Sequence, residues 1–420
     1  MSNICELCDD LLVKILSLVK TKEAVATSVL SKRWLSLWKL VPMLDYGAPL
    51  YASGSDFVNN FLLLSNAPVL ETLHLRLGDE CESEEHERWV DIAVARHVRV
   101  LELIHDRFHL NPLPFPRSLF TCKSLVVLRL QEVVIWDIPS TIFLQSLKTL
   151  SLLCVTFYYG DELVHRLLSA CPILETLAVR RCLEDYVTAF TIAVPSLQSL
   201  DIMHRPVGHS SMDDREYIIN APCLKTLKVS DGCSWFRSLV KFPKLVKAEI
   251  MIRQEDPKKL LGCLTSAKHL SLCATSARQA FIEKSAGDKN LCQLEYLELC
   301  TNCSSDWLCH LLRHSPKLRA LRLDNQRHCG IVREVPAQWE QLCSVPECLL
   351  SSLETVEWIG YSGTEGEKEA AVYILEKAIH LKKMTLSRKF TRLGEKYRML
   401  IDLASRLSSS IKCRLEFVRL

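Results

Sequence analysis

Apolar residues recur along this chain in the spacing Leu-x-x-Leu-x-Leu. The triplets are Leu70/Leu73/Leu75, Val98/Leu101/Leu103, Leu125/Leu128/Leu130, Leu147/Leu150/Leu152, Leu174/Leu177/Val179, Leu197/Leu200/Ile202 and Leu224/Leu227/Val229. They continue as Leu245/Ala248/Ile250, Ala267/Leu270/Leu272, Leu294/Leu297/Leu299, Leu318/Leu321/Leu323, Leu353/Val356/Trp358 and Leu381/Met384/Leu386. Most of these thirteen copies follow one another at the interval of about 20–29 residues typical of stacked repeats. The longest gap, Leu318 to Leu353, needs an inserted loop. Within a triplet the last two apolar residues flank an intervening one, which is the period of a strand with one buried side.

The repeat is also visible as sequence identity. Leu63-Leu64-Ser65-Asn66-Ala67-Pro68-Val69-Leu70-Glu71-Thr72-Leu73 matches Leu167 to Leu177 and Leu311 to Leu321. Each reads as helix, proline stop, strand, because proline ends a helix and cannot sit inside a ladder. One such unit cannot bury its own apolar face, so neighbours must stack into a continuous core. The spacing therefore predicts an α/β leucine-rich-repeat solenoid, with a parallel sheet on its concave face and helices on its convex face.

The residue between the last two apolar positions of each triplet should face outward. In order these are His74, Glu102, Arg129, Ser151, Ala178, Asp201, Lys228, Glu249, Ser271, Glu298, Arg322, Glu357 and Thr385. Arg180, Lys247, His269, Tyr296 and Lys383 flank them. Both signs of charge occur along this row, which suits recognition of a protein. The expected target-binding residues are Glu102, Arg129, Arg180, Asp201, Lys228, Glu249, His269, Tyr296, Glu298 and Arg322.

The two ends differ from the repeat. Near the N-terminus, Asp9 and Asp10 precede an apolar stripe of Leu11, Leu12, Ile15, Leu16 and Val19, the pattern of a helix. Thr21 and Ser31 are placed to cap two more helices, the last carrying Trp34, Leu37 and Trp38. About forty residues rarely bury enough surface to stand alone, so this reads as a docking module that finishes its core on a partner. The stretch resembles the F-box, through Leu7, Asp9-Asp10-Leu11-Leu12, Ile15-Leu16, Thr27-Ser28-Val29-Leu30-Ser31-Lys32-Arg33-Trp34 and Leu37-Trp38. Cys8 stands where that family usually has proline. The resemblance implies docking to the Skp adaptor through Leu7, Leu11, Leu12, Ile15, Leu16, Val29, Leu30, Trp34, Leu37 and Trp38.

At the other end, Pro346-Glu347-Cys348-Leu349-Leu350-Ser351-Ser352-Leu353-Glu354-Thr355-Val356-Glu357-Trp358 is followed by an amphipathic helix over Glu367 to Ala378. A strand at Leu381 to Leu386, a helix over Glu395 to Leu407 and a final strand through Cys413, Leu415 and Phe417 complete the segment. The first run, together with Tyr373-Ile374-Leu375-Glu376-Lys377-Ala378, resembles the FBD domain of plant F-box/leucine-rich-repeat proteins. The organisation expected is an F-box at residues 1–45, a solenoid at 46–338 and an α+β FBD domain at 339–420 that covers the last repeat.

Composition narrows the function. With 52 basic and 49 acidic residues the net charge is +3, too small to build a field for nucleic acid or anionic lipid. No apolar run reaches the eighteen or so residues of a membrane span. Nineteen cysteines, irregularly spaced and without a leading signal segment, read as reduced thiols of the cytoplasm or nucleus. Chemistry-bearing motifs are weak. Cys300, Cys303, Cys309 and His314 could be zinc ligands, but Asn302 falls where such repeats place a turn-bonding Asn. Gly360-Tyr361-Ser362-Gly363 is one residue short of a nucleophile elbow and lies in a glycine-rich turn.

The resemblance implies a non-catalytic, cofactor-free substrate-recognition subunit of a Skp–cullin–F-box ubiquitin ligase. Its partners would be the Skp adaptor, cullin through that adaptor, and a target protein held close to a ubiquitin-charged enzyme. The alternative is an interaction scaffold with no ubiquitin output. Hormone-binding relatives of this plan have longer, more closed arrays and a basic pocket for a polyphosphate, and the mixed charges here predict neither.

Overall fold

The computed structural model describes residues 4–47, 55–78, 83–105, 113–181, 186–204, 215–231, 235–239, 241–252, 260–274, 291–304, 307–326, 344–388, 393–406 and 413–419. It divides into two compact units, residues 1–220 and 221–420. The loops expected at Arg205–Glu216 and Gln326–Pro346 fall mostly at residues 205–214 and 327–343, outside the described residues.

The first unit begins with helices α1 (Asp9–Leu16), α2 (Thr21–Ala26) and α3 (Trp34–Leu37). The last two run on as single tight turns at Thr27–Val29 and Trp38–Leu40. Leu12, Leu16, Ala24, Trp34, Leu37 and Val41 form their common core, with Leu7, Val13, Val19 and Met43 packed against it. The caps differ from expectation. Thr21 lies inside α2, and its hydroxyl accepts the Asp45 N–H at 2.7 Å, tying the helix to the strand that follows. Ser31 contributes its carbonyl, which accepts from the Trp34 and Leu35 N–H groups. The first N–H groups of α2, Glu23 and Ala24, donate instead to the Lys20 carbonyl.

A ladder of parallel strands follows: β1 (Met43–Gly47), β2 (Thr72–Leu77), β3 (Val100–His105), β4 (Val127–Gln131), β5 (Thr149–Leu153), β6 (Thr176–Arg181) and β7 (Ser199–His204). Equivalent leucines sit side by side, Leu44 beside Leu73, then Leu101, Leu128, Leu150, Leu177 and Leu200. All of them are buried, because each can cover its neighbour only in this register. Val41/Leu44/Tyr46 has the same triplet spacing, with tyrosine in the last place. Strand β1 thus belongs to the ladder and crosses the boundary expected at residue 45.

The return segments of this unit are of two kinds. Helices α4 (Ser55–Leu64), α5 (Ser83–Ala95) and α6 (Asp161–Ser169) fill some repeats. Elsewhere short parallel strands take their place: Leu113–Pro114, Val133–Ile135 and Thr156–Phe157 pair together, as do Ala189–Ala193 and Glu216–Asn220. Val133-Val134-Ile135 and Tyr217-Ile218-Ile219 are β-branched or aromatic and short, which favours a strand over a helix.

The second unit repeats the ladder with β8 (Thr226–Asp231), β9 (Lys247–Ile252), β10 (His269–Ala274), β11 (Tyr296–Cys300), β12 (Ala320–Asp324), β13 (Thr355–Ile359), β14 (Lys383–Arg388) and β15 (Arg414–Arg419). Leu227, Ala248, Leu270, Leu297, Leu321, Val356, Met384 and Leu415 are successive partners. The C-terminal strands β13 to β15 therefore continue the same parallel register as β12. Leu415 and Phe417 are only half-buried, as end-strand residues covered on one flank.

Helices α7 (Thr301–Ser304), α8 (Trp307–His314), α9 (Glu347–Ser351), α10 (Glu365–Lys377) and α11 (Leu393–Arg406) lie between these strands in the chain. Helix α10 starts before the expected Glu367 because Thr364 and Glu367 form a reciprocal capping box. The Asn302 amide donates to the Asn325 carbonyl at 2.7 Å, and the Asn325 amide to the Gly360 carbonyl at 3.2 Å. Asn302 is thus a turn-bonding ladder residue.

Candidate functional site

Two surfaces are built by these elements, and the first is the helical module. On α1, Leu12 and Leu16 turn inward while Leu11 and Ile15, one residue earlier and about 100° round the helix, turn outward. Leu30, Leu35, Leu18 and Val29 are also exposed, the last two at 85% and 86%. So many large apolar side chains facing water in so short a segment mark an interaction surface. The residues expected to dock an adaptor therefore separate. Leu11, Ile15, Val29 and Leu30 are outside; Leu12, Leu16, Trp34, Leu37 and Trp38 are buried, and Leu7 is half-buried against the core. The buried five are inaccessible in the unbound chain. The side chains of Leu12, Leu16, Trp34 and Leu37 make up the module's own core, and Trp38 packs on Phe61 of α4 with ring centroids 5.7 Å apart.

The module is also held internally. The Arg33 guanidinium donates to Asp9 at 2.8 and 2.6 Å and to the Leu7 carbonyl, tying the start of α3 to the start of α1. Cys8 precedes α1 with φ −68° and ψ 158°, and its carbonyl accepts from the Leu11 and Leu12 N–H groups. That is the backbone conformation proline would impose, so the helix starts in the same way without it.

The second candidate is the outward side of the ladder, taken in each unit by itself. In the first unit Arg129 and Arg180 are exposed while Glu102 and Asp201 are half-buried; in the second Lys228 and His269 are exposed while Glu249, Tyr296, Glu298 and Arg322 are half-buried. Ser151 and Ser271 were expected outward in the open but are 9% and 7% exposed. Neighbouring strands lie about 4.8 Å apart, so Glu249 and Glu298 overhang Ser271 from both flanks, and Arg129 overhangs Ser151 from one.

Opposite charges meet across strands. Glu102 lies 3.6 Å from Arg129 and 3.9 Å from His74, and Arg322 lies 3.8 Å from Glu298 and 3.0 Å from Glu357. Lys247 bonds Glu249 at 2.6 Å, which holds its ammonium above the usual range. Burial, then the Glu298 charge, raises the Tyr296 phenol. The structure thus brings Glu102 together with Arg129, and Tyr296 with Glu298 and Arg322.

The weaker chemical candidates resolve into structure. Cys300 is buried against Cys273 and Met251. A ring nitrogen of His314 lies 2.8 Å from the His310 carbonyl. Among the described residues no group of three or more side chains is arranged to hold a metal ion. Ser362 sits in a turn, its N–H donating to Glu367 at 3.0 Å and its hydroxyl to the Gly360 carbonyl at 3.3 Å. The described cysteines are free thiols, several of them buried. Sequence reasoning missed an exposed group of rings, Trp136, Tyr158, Tyr159 and Tyr186. They follow or precede the short strands that the helix-only expectation for the return segments overlooked.

Comparison with known proteins finds three family matches along the chain. Residues 4–45 match the F-box domain, 86–242 the leucine-rich repeats of the FBD-associated F-box protein At5g56370, and 341–386 the FBD domain. The chain is 44% identical to the putative FBD-associated F-box protein At5g56440 of Arabidopsis thaliana, over 99% of this chain and all of that one. It is 40% identical to the Arabidopsis F-box/FBD/LRR-repeat protein At4g26340, again over 99% and 100% of the two chains.

Proposed function

The chain belongs to the FBD-associated F-box proteins with leucine-rich repeats, and we propose that it is the target-recognition subunit of a Skp–cullin–F-box ubiquitin ligase. The observation that carries this reading is the set of apolar side chains the helical module leaves in water: Leu11, Ile15, Leu18, Val29, Leu30 and Leu35. They form no part of the module's own core, and burying each on a partner would contribute about 1.5–3 kcal/mol. The Skp adaptor is the partner the F-box resemblance implies, and cullin follows through it. The outward ladder faces would hold the target, with Arg129 and Arg180 exposed in the first unit and Lys228 and His269 in the second.

In this role the chain performs no bond chemistry. It raises the effective concentration of a target lysine beside an enzyme that other subunits supply. The free thiols suit the reducing cytoplasm or nucleus.

The test is affinity purification of the full chain beside a Val29→Asp/Leu30→Asp variant, with mass spectrometry of what accompanies each. The expected result is Skp adaptor and cullin with the parent only. If neither protein accompanies the parent chain, the reading fails and the interaction-scaffold alternative replaces it. The proline-like backbone at Cys8, where the family usually has proline, supports the docking reading.

A further inference from the structure

The rings of Trp136, Tyr158, Tyr159 and Tyr186 form a second exposed surface, within the first unit and separate from the helical module. Strands Val133–Ile135 and Thr156–Phe157 pair with Ile135 beside Phe157, both buried. Side chains alternate along a strand, so the next residues, Trp136 and Tyr158, turn outward side by side. Their ring centroids are 4.3 Å apart. Tyr158 also meets Tyr159 edge-on at 5.5 Å and Tyr186 at 5.4 Å, so one tyrosine is surrounded by three rings.

These rings remain open to water, with Trp136 and Tyr158 at 44%, Tyr186 at 61% and Tyr159 at 71% exposure. The backbone beneath them is fixed. Gly160 turns the chain at φ +75°, and Asp161 accepts from the Thr188 N–H and hydroxyl and from the Ala189 N–H. That pins the segment after Tyr186 to the turn after Tyr159.

The ring-bearing segments themselves contribute only acidic charge, and the buried Arg181 that reaches them from outside is bonded to the Val187 carbonyl. Segments 133–139, 155–162 and 186–193 hold Asp137, Asp161 and Glu162 and no lysine or arginine, in a chain whose net charge is +3. Arg166, from α6, is committed to Glu162 at 3.1 Å and to the Ile138 carbonyl at 3.2 Å. Asp137 is exposed beside Trp136, with one carboxylate oxygen accepting the Ile138 N–H. Aromatic faces attract cations within about 6 Å, and adjacent carboxylates add to that attraction. We infer that this aromatic surface docks an arginine- or lysine-bearing segment of a partner protein, held by cation–π contact and the exposed Asp137 carboxylate. Tryptophan and tyrosine already packed in place lose little freedom on binding, as an interface anchor requires.

The test uses the full chain and fluorescence anisotropy of short labelled peptides: one of alternating Arg and Gly, one uncharged and proline-rich, one of alternating Glu and Gly. The Arg peptide is expected to bind saturably and more weakly as salt rises. Trp136→Ala and Tyr159→Ala should each weaken it about two- to fivefold, and Asp137→Asn less, with a flatter salt dependence. Tyr159 is so exposed that its variant keeps the fold even if Trp136→Ala does not. Unchanged binding of the Arg peptide by Tyr159→Ala and Asp137→Asn overturns the inference. So does a proline-rich peptide that binds as tightly as the basic one.

Discussion

Trp34 distinguishes the core of the helical module from its exposed apolar face. Trp34 is 4% exposed among Leu12, Leu16, Ala24, Leu37 and Val41. A buried tryptophan covers about 150–250 Å², which at about 25 cal/mol per Å² corresponds to about 4–6 kcal/mol. Measured Trp→Ala costs in cores are about 3–5 kcal/mol. A unit this small rarely holds more than about 3–5 kcal/mol in total, so Trp34→Ala is expected to open the module outright. Val29→Asp and Leu30→Asp change side chains that are 86% and 64% exposed, and should move stability by no more than about 0.5 kcal/mol. All three variants should lose the Skp adaptor, but for different reasons.

Trypsin reports the difference. Lys14, Lys20, Lys22, Lys32 and Arg33 lie in the module, and cleavage there requires it to open. Trp34→Ala should be cut rapidly within the first forty residues, while Val29→Asp and Leu30→Asp should resist like the parent. Titration calorimetry with purified adaptor supplies the binding half of the assay. The reasoning is refuted if Trp34→Ala remains as resistant as the parent, or if Val29→Asp/Leu30→Asp binds adaptor with unchanged affinity.

Further expectations rest on other parts of the chain. Cys8→Pro should stabilise the module by about 0.4–1 kcal/mol, because the residue already has φ −68°; denaturant midpoints of the two proteins measure this. Gly360→Ala should cost about 1–3 kcal/mol, since φ is +73° and an added Cβ would meet the Gln326 side chain at 2.9 Å; a midpoint equal to the parent's would contradict it. The Glu354 carboxyl is held below its ordinary value of 4.5 by Lys382 and then Arg319, and Arg406 and Lys368 do the same for Glu365 and Asp402. Depressed carboxyls stabilise the fold above their unfolded pKa and lose that contribution as pH falls through the folded one. Glu354→Gln should therefore flatten the loss of stability below pH about 4.5, as followed by acid-dependent unfolding. Burial pushes the Cys171 and Cys348 thiols up to about 12, so iodoacetamide at mildly alkaline pH should label exposed Cys8 and spare both in the folded protein. Mass spectrometry of the labelled chain reads the result.

Much of this architecture is legible without coordinates. The thirteen triplets from Leu70 to Leu386 coincide with strands β2 to β14, because a repeat whose core is made only by stacking must present the same apolar positions each time. Strand β1 carries the same signal at Val41/Leu44/Tyr46 but lies close behind a motif of its own. The return segments were less legible, since a stacked repeat constrains the ladder side strictly and lets helix or strand close the other. The exposed apolar residues of the helical module were legible as a group and not individually. Leu11 and Leu12 are the same residue type, adjacent on one helix, yet one is in water and the other at 0% exposure.

What the sequence by itself determined is therefore the period, the strand register and the family, all carried by local spacing repeated many times. Only the tertiary structure decided which leucines of the helical module remain outside its core, that Ser151 and Ser271 sink between their neighbours, and that Trp136, Tyr158, Tyr159 and Tyr186 meet. The physical reason is common to all three. Burial of a side chain is set by residues a full repeat away or on another helix, and no pattern within one stretch of chain records how those neighbours cover it.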